Sequence, residues 1–206
     1  MKDIRTERNF LPHTINKKTH FIGGWYIDKN VCTNLIKYFE NSPDKKPGIL
    51  GIDAKTWGIN KKLKLSTDVC INIRNEDKEI LNYYKELKKV IESYKKKYKY
   101  CHIKQSKWGI TENWSLQRYK PKEGYFTKHC ERVGGASIHR HLAFMTYLNN
   151  VNDGGETEFV YQKLKIKPET GLTLIWGCDW TFTHRGITSP TETKYIATGW
   201  LSYIKI

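Results

Sequence analysis

Apolar residues recur at steps of three and four in two stretches of the first half of this chain, and at steps of two in short runs of the second half. After Asp28, Val31, Leu35, Ile36 and Phe39 fall on one side of a helical wheel; Asp28 can cap that helix, and Pro43 lies just past its end. From Glu76 to Tyr98 the stripe is Ile80, Tyr84, Leu87, Ile91, Tyr94 and Tyr98, which predicts one long amphipathic helix. Residues 45–64 are rich in Gly, Pro and Lys and read as a loop. From Trp114 onward the pattern predicts strands over 114–120, 125–131, 139–148, 157–160, 164–167, 171–176, 181–185 and 194–204. Turn residues separate them, among them Pro121 to Gly124, Gly134-Gly135, Asn149 to Gly155 and Ser189-Pro190. Short strands so spaced predict an α+β chain: a sandwich or barrel of the jelly-roll kind over 106–206, buttressed by helices within 1–105, in a single domain over 1–206.

Composition narrows the class. The apolar share of 38% over 206 residues can build a core, which excludes wholesale disorder. No stretch approaches the ~18 apolar residues of a membrane span; even Leu172 to Trp176 is broken by Thr173. Met1 to Arg8 carries charges with no apolar run behind them, unlike a secretory signal. Five cysteines, an odd number with no CxxC, argue against a disulfide framework and a zinc knuckle. The expected setting is the reducing cytoplasm, with no membrane partner. The formal charge of +15 would draw an anionic partner. Its excess is almost all lysine, 29 Lys against 7 Arg, and the lysines of the long helix lie off its apolar stripe without interleaved Phe or Trp. A solvated surface is therefore favoured over a nucleic-acid face.

The candidate chemistry lies in the second half. On a strand over 125–131, His129 and Glu131 would point to one face. Thr183-His184-Arg185-Gly186 supplies another histidine at the end of a later strand. Two histidines and one carboxylate can occupy one face of an octahedral Fe(II) and leave the other face for reactants. Taken alone, HxE more often belongs to a plain surface strand. Lys194, Ile196, Thr198 and Trp200 share a face by alternation, and a lysine among such neighbours calls for an anion. The Tyr119 hydroxyl could reach the same anion, or Tyr119 could be a core tyrosine. His139 and His141 form a second same-face pair, but no carboxylate follows them, so they read as polar strand residues. Cys130, between the proposed ligands, reads as packed. Gly154-Gly155-Glu156-Thr157 lacks the strand-to-helix context of a phosphate loop.

From Gln117 to Trp200 the chain resembles the Fe(II)/2-oxoglutarate-dependent oxygenases, in particular the prolyl 4-hydroxylase-like group. Arg118-Tyr119, His129-Cys130-Glu131, Tyr147-Leu148-Asn149, Gly154 to Phe159, Pro168 to Gly171, His184-Arg185-Gly186, Lys194-Tyr195 and Trp200 follow in family order. Phe21 to Trp25 and Lys64 to Asp68 are similar to openings of the same family. The resemblance implies a double-stranded β-helix core with His129, Glu131 and His184 binding Fe(II). It implies that Lys194 pairs with the far carboxylate of 2-oxoglutarate, helped by Tyr119 and Thr198, with Tyr147 close to that co-substrate. It further implies O2-dependent hydroxylation of an unactivated C–H bond with release of succinate and CO2, on a proline-containing peptide or protein, with ascorbate as a possible accessory. Oxidative demethylation of nucleic-acid bases and an inactive binding module of the same fold are the alternatives. Glu131 departs from the aspartate usual in the family; it adds a methylene of reach while keeping the carboxylate. Thr191-Glu192-Thr193 lacks the turn glycine often found before the basic residue.

Overall fold

The computed structural model describes residues 20–51 and 57–204, so the reading of Met1 to Arg8 lies outside the described residues. In chain order the elements are β1 (Gly23–Tyr26), α1 (Lys29–Asn41), β2 (Lys46–Pro47), β3 (Leu50–Gly51), β4 (Trp57–Gly58), β5 (Lys64–Leu65), β6 (Thr67–Ile71) and α2 (Lys78–Lys97). There follow β7 (Trp108–Gly109), β8 (Trp114–Tyr119), β9 (Gly124–Tyr125), β10 (Arg140–Tyr147), β11 (Thr157–Phe159), β12 (Leu164–Ile166), β13 (Leu172–Gly177), β14 (His184–Gly186) and β15 (Lys194–Tyr203).

Both helices form where the three-and-four spacing places them. The Asp28 side chain accepts the Asn30 N–H at 2.8 Å and so caps α1, which buries Cys32, Leu35 and Phe39. On α2 the buried line is Ile80, Tyr83, Leu87, Val90 and Tyr94, with Tyr84 and Ile91 only half-buried. The stripe is thus rotated toward Tyr83 and Val90 from the expected one. Both lines have helical spacing, and the sheet beneath selects between them: Tyr83 packs on Trp114 and bonds the Thr146 hydroxyl at 2.9 Å.

The major sheet runs β1-β13-β10-β15-β8-β6-β2, with β7 also paired to β15, and all its pairings are antiparallel. Alternation along its strands divides the core in two. Leu116, Leu142, Phe144, Ala197 and Leu201 face α1 and α2. Tyr119, Ala143, Met145, Trp176 and Ile196 face the other way, with Phe159 of a smaller sheet, β12-β11-β14. Two opposed antiparallel sheets of this kind make the double-stranded β-helix. At Gly199 a Cβ would lie 2.6 Å from the Trp114 Cβ and 2.7 Å from Phe144 Cζ. Gly199→Ala is expected to destabilise the fold by about 1–3 kcal/mol through overpacking, read as a lower urea midpoint.

Three expectations are corrected. The first half is not simply helical support: β1, β2 and β6 belong to the major sheet and β5 pairs with β9, so residue 105 is no structural boundary. Gly23-Gly24-Trp25-Tyr26 is too short and glycine-rich to show a period of two. The expected loop 45–64 carries the short pairings of β2, β3 and β4. Finally, 125–131 is not a continuous strand: beyond Tyr125 only His129 makes a bridge, to His184.

Candidate metal centre and its cavity

The two histidines, 55 positions apart, are tied through their backbones. The His129 N–H donates to the His184 carbonyl and the His184 N–H to the His129 carbonyl, each at 2.9 Å. Two residues on, the Glu131 N–H donates to the Cys178 carbonyl at 3.0 Å. Main-chain bonds to β14 and to the segment after β13 therefore do the work expected of a strand. They bring the three side chains to one point, where one ligand atom from each lies within 4.8 Å of the others. Glu131 Oε1 is 3.3 Å from His184 Nε2 and 3.7 Å from His129 Nε2.

The far sides of the rings fix their tautomers. Nδ1 of His129 is 3.1 Å from the Thr127 carbonyl and Nδ1 of His184 is 2.9 Å from the Phe182 carbonyl. A carbonyl only accepts, so each Nδ1 carries hydrogen and each Nε2 faces Glu131, as a donor when the ring is protonated and with a lone pair when it is neutral. His129 is also stacked on Tyr125 at 3.8 Å, while Phe159 and Trp176 flank His184. Burial, with His184 alongside, pushes the His129 pKa down. Burial alone would raise that of Glu131, but the hydrogen bonds and charge of the two imidazoles outweigh it and hold the carboxyl well below its usual range. Three acceptors so packed need a positive group among them. A proton on one Nε2 meets that need, and so does a divalent cation. Two imidazoles and a carboxylate suit Fe(II).

The centre opens into a cavity of about 370 Å³ between the two sheets. Lys194, Ile196, Thr198 and Trp200 all line it, as alternation along β15 requires. Lys194 is 6% exposed and donates to the Gly155 carbonyl at 2.9 Å. Tyr119 is its cross-strand neighbour on β8, with the ammonium 5.2 Å from the ring centre. Burial lowers the Lys194 pKa to about 8, against the opposing pull of Glu156. The Tyr119 hydroxyl donates to Gln117 Oε1 at 2.6 Å, so that hydrogen is already committed. Thr198 donates to the Phe144 carbonyl at 3.1 Å. Tyr147 is not on the cavity wall. It is fully buried, and its hydroxyl is 2.6 Å from the Thr157 hydroxyl and donates to the Ile166 carbonyl at 3.1 Å; Thr157 is the residue that lines the cavity. Any contribution of Tyr147 is therefore made through Thr157.

Several cavity residues had no signal in the sequence periodicity. Asp68 joins Lys64 at 2.7 Å, Ser66 at 2.7 Å and Gln117 at 3.2 Å into a polar wall. The Trp176 indole N–H is buried with no partner among the described residues. Arg140 lines the cavity because of a register shift: Arg140 pairs with Ser202 and Leu142 with Leu201, leaving His141 as the extra residue of a bulge. His141 instead meets the Cys101 carbonyl and the Tyr203 hydroxyl, each at 2.9 Å, away from the centre. Cys130 borders the cavity, and burial raises its thiol pKa, the opposite of a reactive thiolate.

Residues 114–202 match the family model of the 2OG-Fe(II) oxygenase superfamily. No curated protein sequence matches the chain. Among solved structures, the chain is similar to the viral collagen prolyl hydroxylase of Paramecium bursaria Chlorella virus-1. The TM-score is 0.64 at 20% identity, over 89% of this chain and 97% of the other. A prolyl-4-hydroxylase of Pseudomonas putida gives 0.66 at 13% identity, over 91% and 95%. A prolyl hydroxylase of Trichoplax adhaerens, in complex with a peptide fragment of the hypoxia inducible factor oxygen degradation domain, gives 0.69 at 16% identity, over 89% and 84%. At these identities the likeness establishes the fold.

Proposed function

From the match of residues 114–202 to the family model of the 2OG-Fe(II) oxygenase superfamily, we propose that the chain is an oxygenase of that kind and hydroxylates a prolyl residue of a peptide or protein, with O2 and 2-oxoglutarate consumed and succinate and CO2 released. The observation that carries the reading is the convergence of His129, Glu131 and His184 on one point in the cavity. The prolyl assignment draws on the fold shared with prolyl hydroxylases, one of them seen with a peptide.

The donor set fits Fe(II), and two features fit an anionic co-substrate. One is Lys194, a buried ammonium bonded to the Gly155 carbonyl; the other is the Trp176 N–H, which has no partner among the described residues. When bound, the metal and 2-oxoglutarate supply the O2-dependent oxidative decarboxylation that puts one oxygen atom into a C–H bond. The protein's part is geometric and electrostatic. The Thr127 and Phe182 carbonyls keep the imidazole lone pairs aimed inward, and Lys194 offers the far carboxylate a desolvated cation. Tyr119 supports that cation with its ring face, and Thr198 stands two positions along the same wall. Ascorbate would act as an external reductant that keeps the metal ferrous.

Anaerobic Fe(II) and 2-oxoglutarate should together give the charge-transfer colour of a metal-chelated keto acid. A panel of proline-containing peptides should then show a gain of sixteen daltons with matching succinate. Succinate coupled to methylated oligonucleotides instead of peptides would overturn the prolyl assignment.

Co-substrate affinity should depend on pH. Lys194 is cationic below about 8 and neutral above it, with Glu156 the acidic group opposing that loss. Attraction for a dicarboxylate is therefore complete at pH 7 and lost as pH rises. The Kd of the Mn(II)-loaded protein for 2-oxoglutarate should weaken roughly 30-fold between pH 7 and 9.5. A flat calorimetric profile would place the anion elsewhere.

A further inference from the structure

We infer that Trp200 is a positioning residue for the Glu131 carboxylate, dividing its two oxygens between a fixed indole and the ligand point. The Trp200 Nε1–H donates to Glu131 Oε2 at 2.7 Å, while Oε1 faces the two imidazoles. The indole is itself held. The Arg140 guanidinium lies 3.4 Å from its ring centre. Arg140 Nη2 donates to Glu112 Oε2 at 2.7 Å, and Ser202 donates to Glu112 Oε1 at 2.9 Å. Arg140 Nη1 also donates to the Glu131 main-chain carbonyl at 3.1 Å. The backbone and side chain of Glu131 are thus both tethered to one Arg/Trp pair on neighbouring strands β10 and β15.

The arrangement answers a problem of chain length. A glutamate has one more rotatable bond than an aspartate, so a free Glu131 could swing away or offer both oxygens to the ion. An indole N–H bonded to Oε2 removes that freedom and leaves Oε1 as the single ligand atom. An aspartate, one methylene shorter, reaches less far between the ligand point and Trp200. The inference rests on the reading of His129, Glu131 and His184 as a metal centre.

The test is a double-mutant cycle on the full chain, with Mn(II) affinity of the metal-free protein read by calorimetry and electron paramagnetic resonance. Trp200→Phe keeps a ring beneath Arg140 and removes the N–H; it should weaken Mn(II) binding by roughly 10–100-fold. In the Glu131→Asp background the same change should cost less than about threefold, because the coupling has already been lost. An unchanged affinity, or an equal loss in both backgrounds, overturns the inference while leaving the metal centre standing. Wild-type protein that binds no Mn(II) overturns both. A second readout keeps Trp200 intact: Glu131→Ala should speed hydrogen exchange of the Trp200 indole N–H, and an unmoved rate overturns the inference.

Discussion

Substitution of His184 by alanine is expected to abolish both metal binding and succinate production. His184 supplies a ligand atom whose lone pair is aimed by the Phe182 carbonyl, and its ring is enclosed by Phe159 and Trp176. Partners that merely orient a ligand are worth about 10–100-fold in metal affinity, so the loss of a ligand itself should reach roughly a thousandfold or more. The folded state should survive, because the bridge to His129 is made by main-chain atoms that alanine retains. His129→Ala should behave alike. Calorimetry with Mn(II) and a succinate assay on both variants check this, and turnover retained in both would remove the centre from consideration.

Replacing Lys194 with alanine should act on the co-substrate and spare the metal. The ammonium is buried, with Gly155 its hydrogen-bonded partner, so an arriving carboxylate would complete its charge. Removing one member of such a buried charged pair costs about 2–5 kcal/mol, which corresponds to a rise in the KM for 2-oxoglutarate of roughly thirtyfold to several thousandfold. Mn(II) affinity should stay at the wild-type value. A KM that does not move would mean that another group receives the anion.

Much of this could be read along the chain because its informative residues follow local rules. Asp28 and the helical spacing define α1, and alternation along Lys194 to Trp200 correctly assigns the cavity face. What escaped was non-local. His129 and Glu131 converge through hydrogen bonds to His184 and Cys178 rather than through strand geometry, so the expected strand was wrong while the convergence it implied is present. The rotated stripe of α2 depends on Trp114 and Thr146, which arrive from distant strands. Tyr147 shows no sequence difference between facing the cavity and standing behind Thr157. The polar wall of Lys64, Asp68 and Gln117 needs the pairing of β6 with β8, and no period within either strand reveals it.

The extra residue at His141 has a consequence for how this stretch tolerates change. Which of two adjacent basic side chains meets the cavity is set by a count of residues, not by their chemistry. Losing or gaining one residue in β10 would shift which side chains before Leu142 face the cavity, although every amino acid around it stayed the same. The make-up of the cavity wall is therefore stored partly as length, and this segment should accept point substitutions more readily than insertions or deletions.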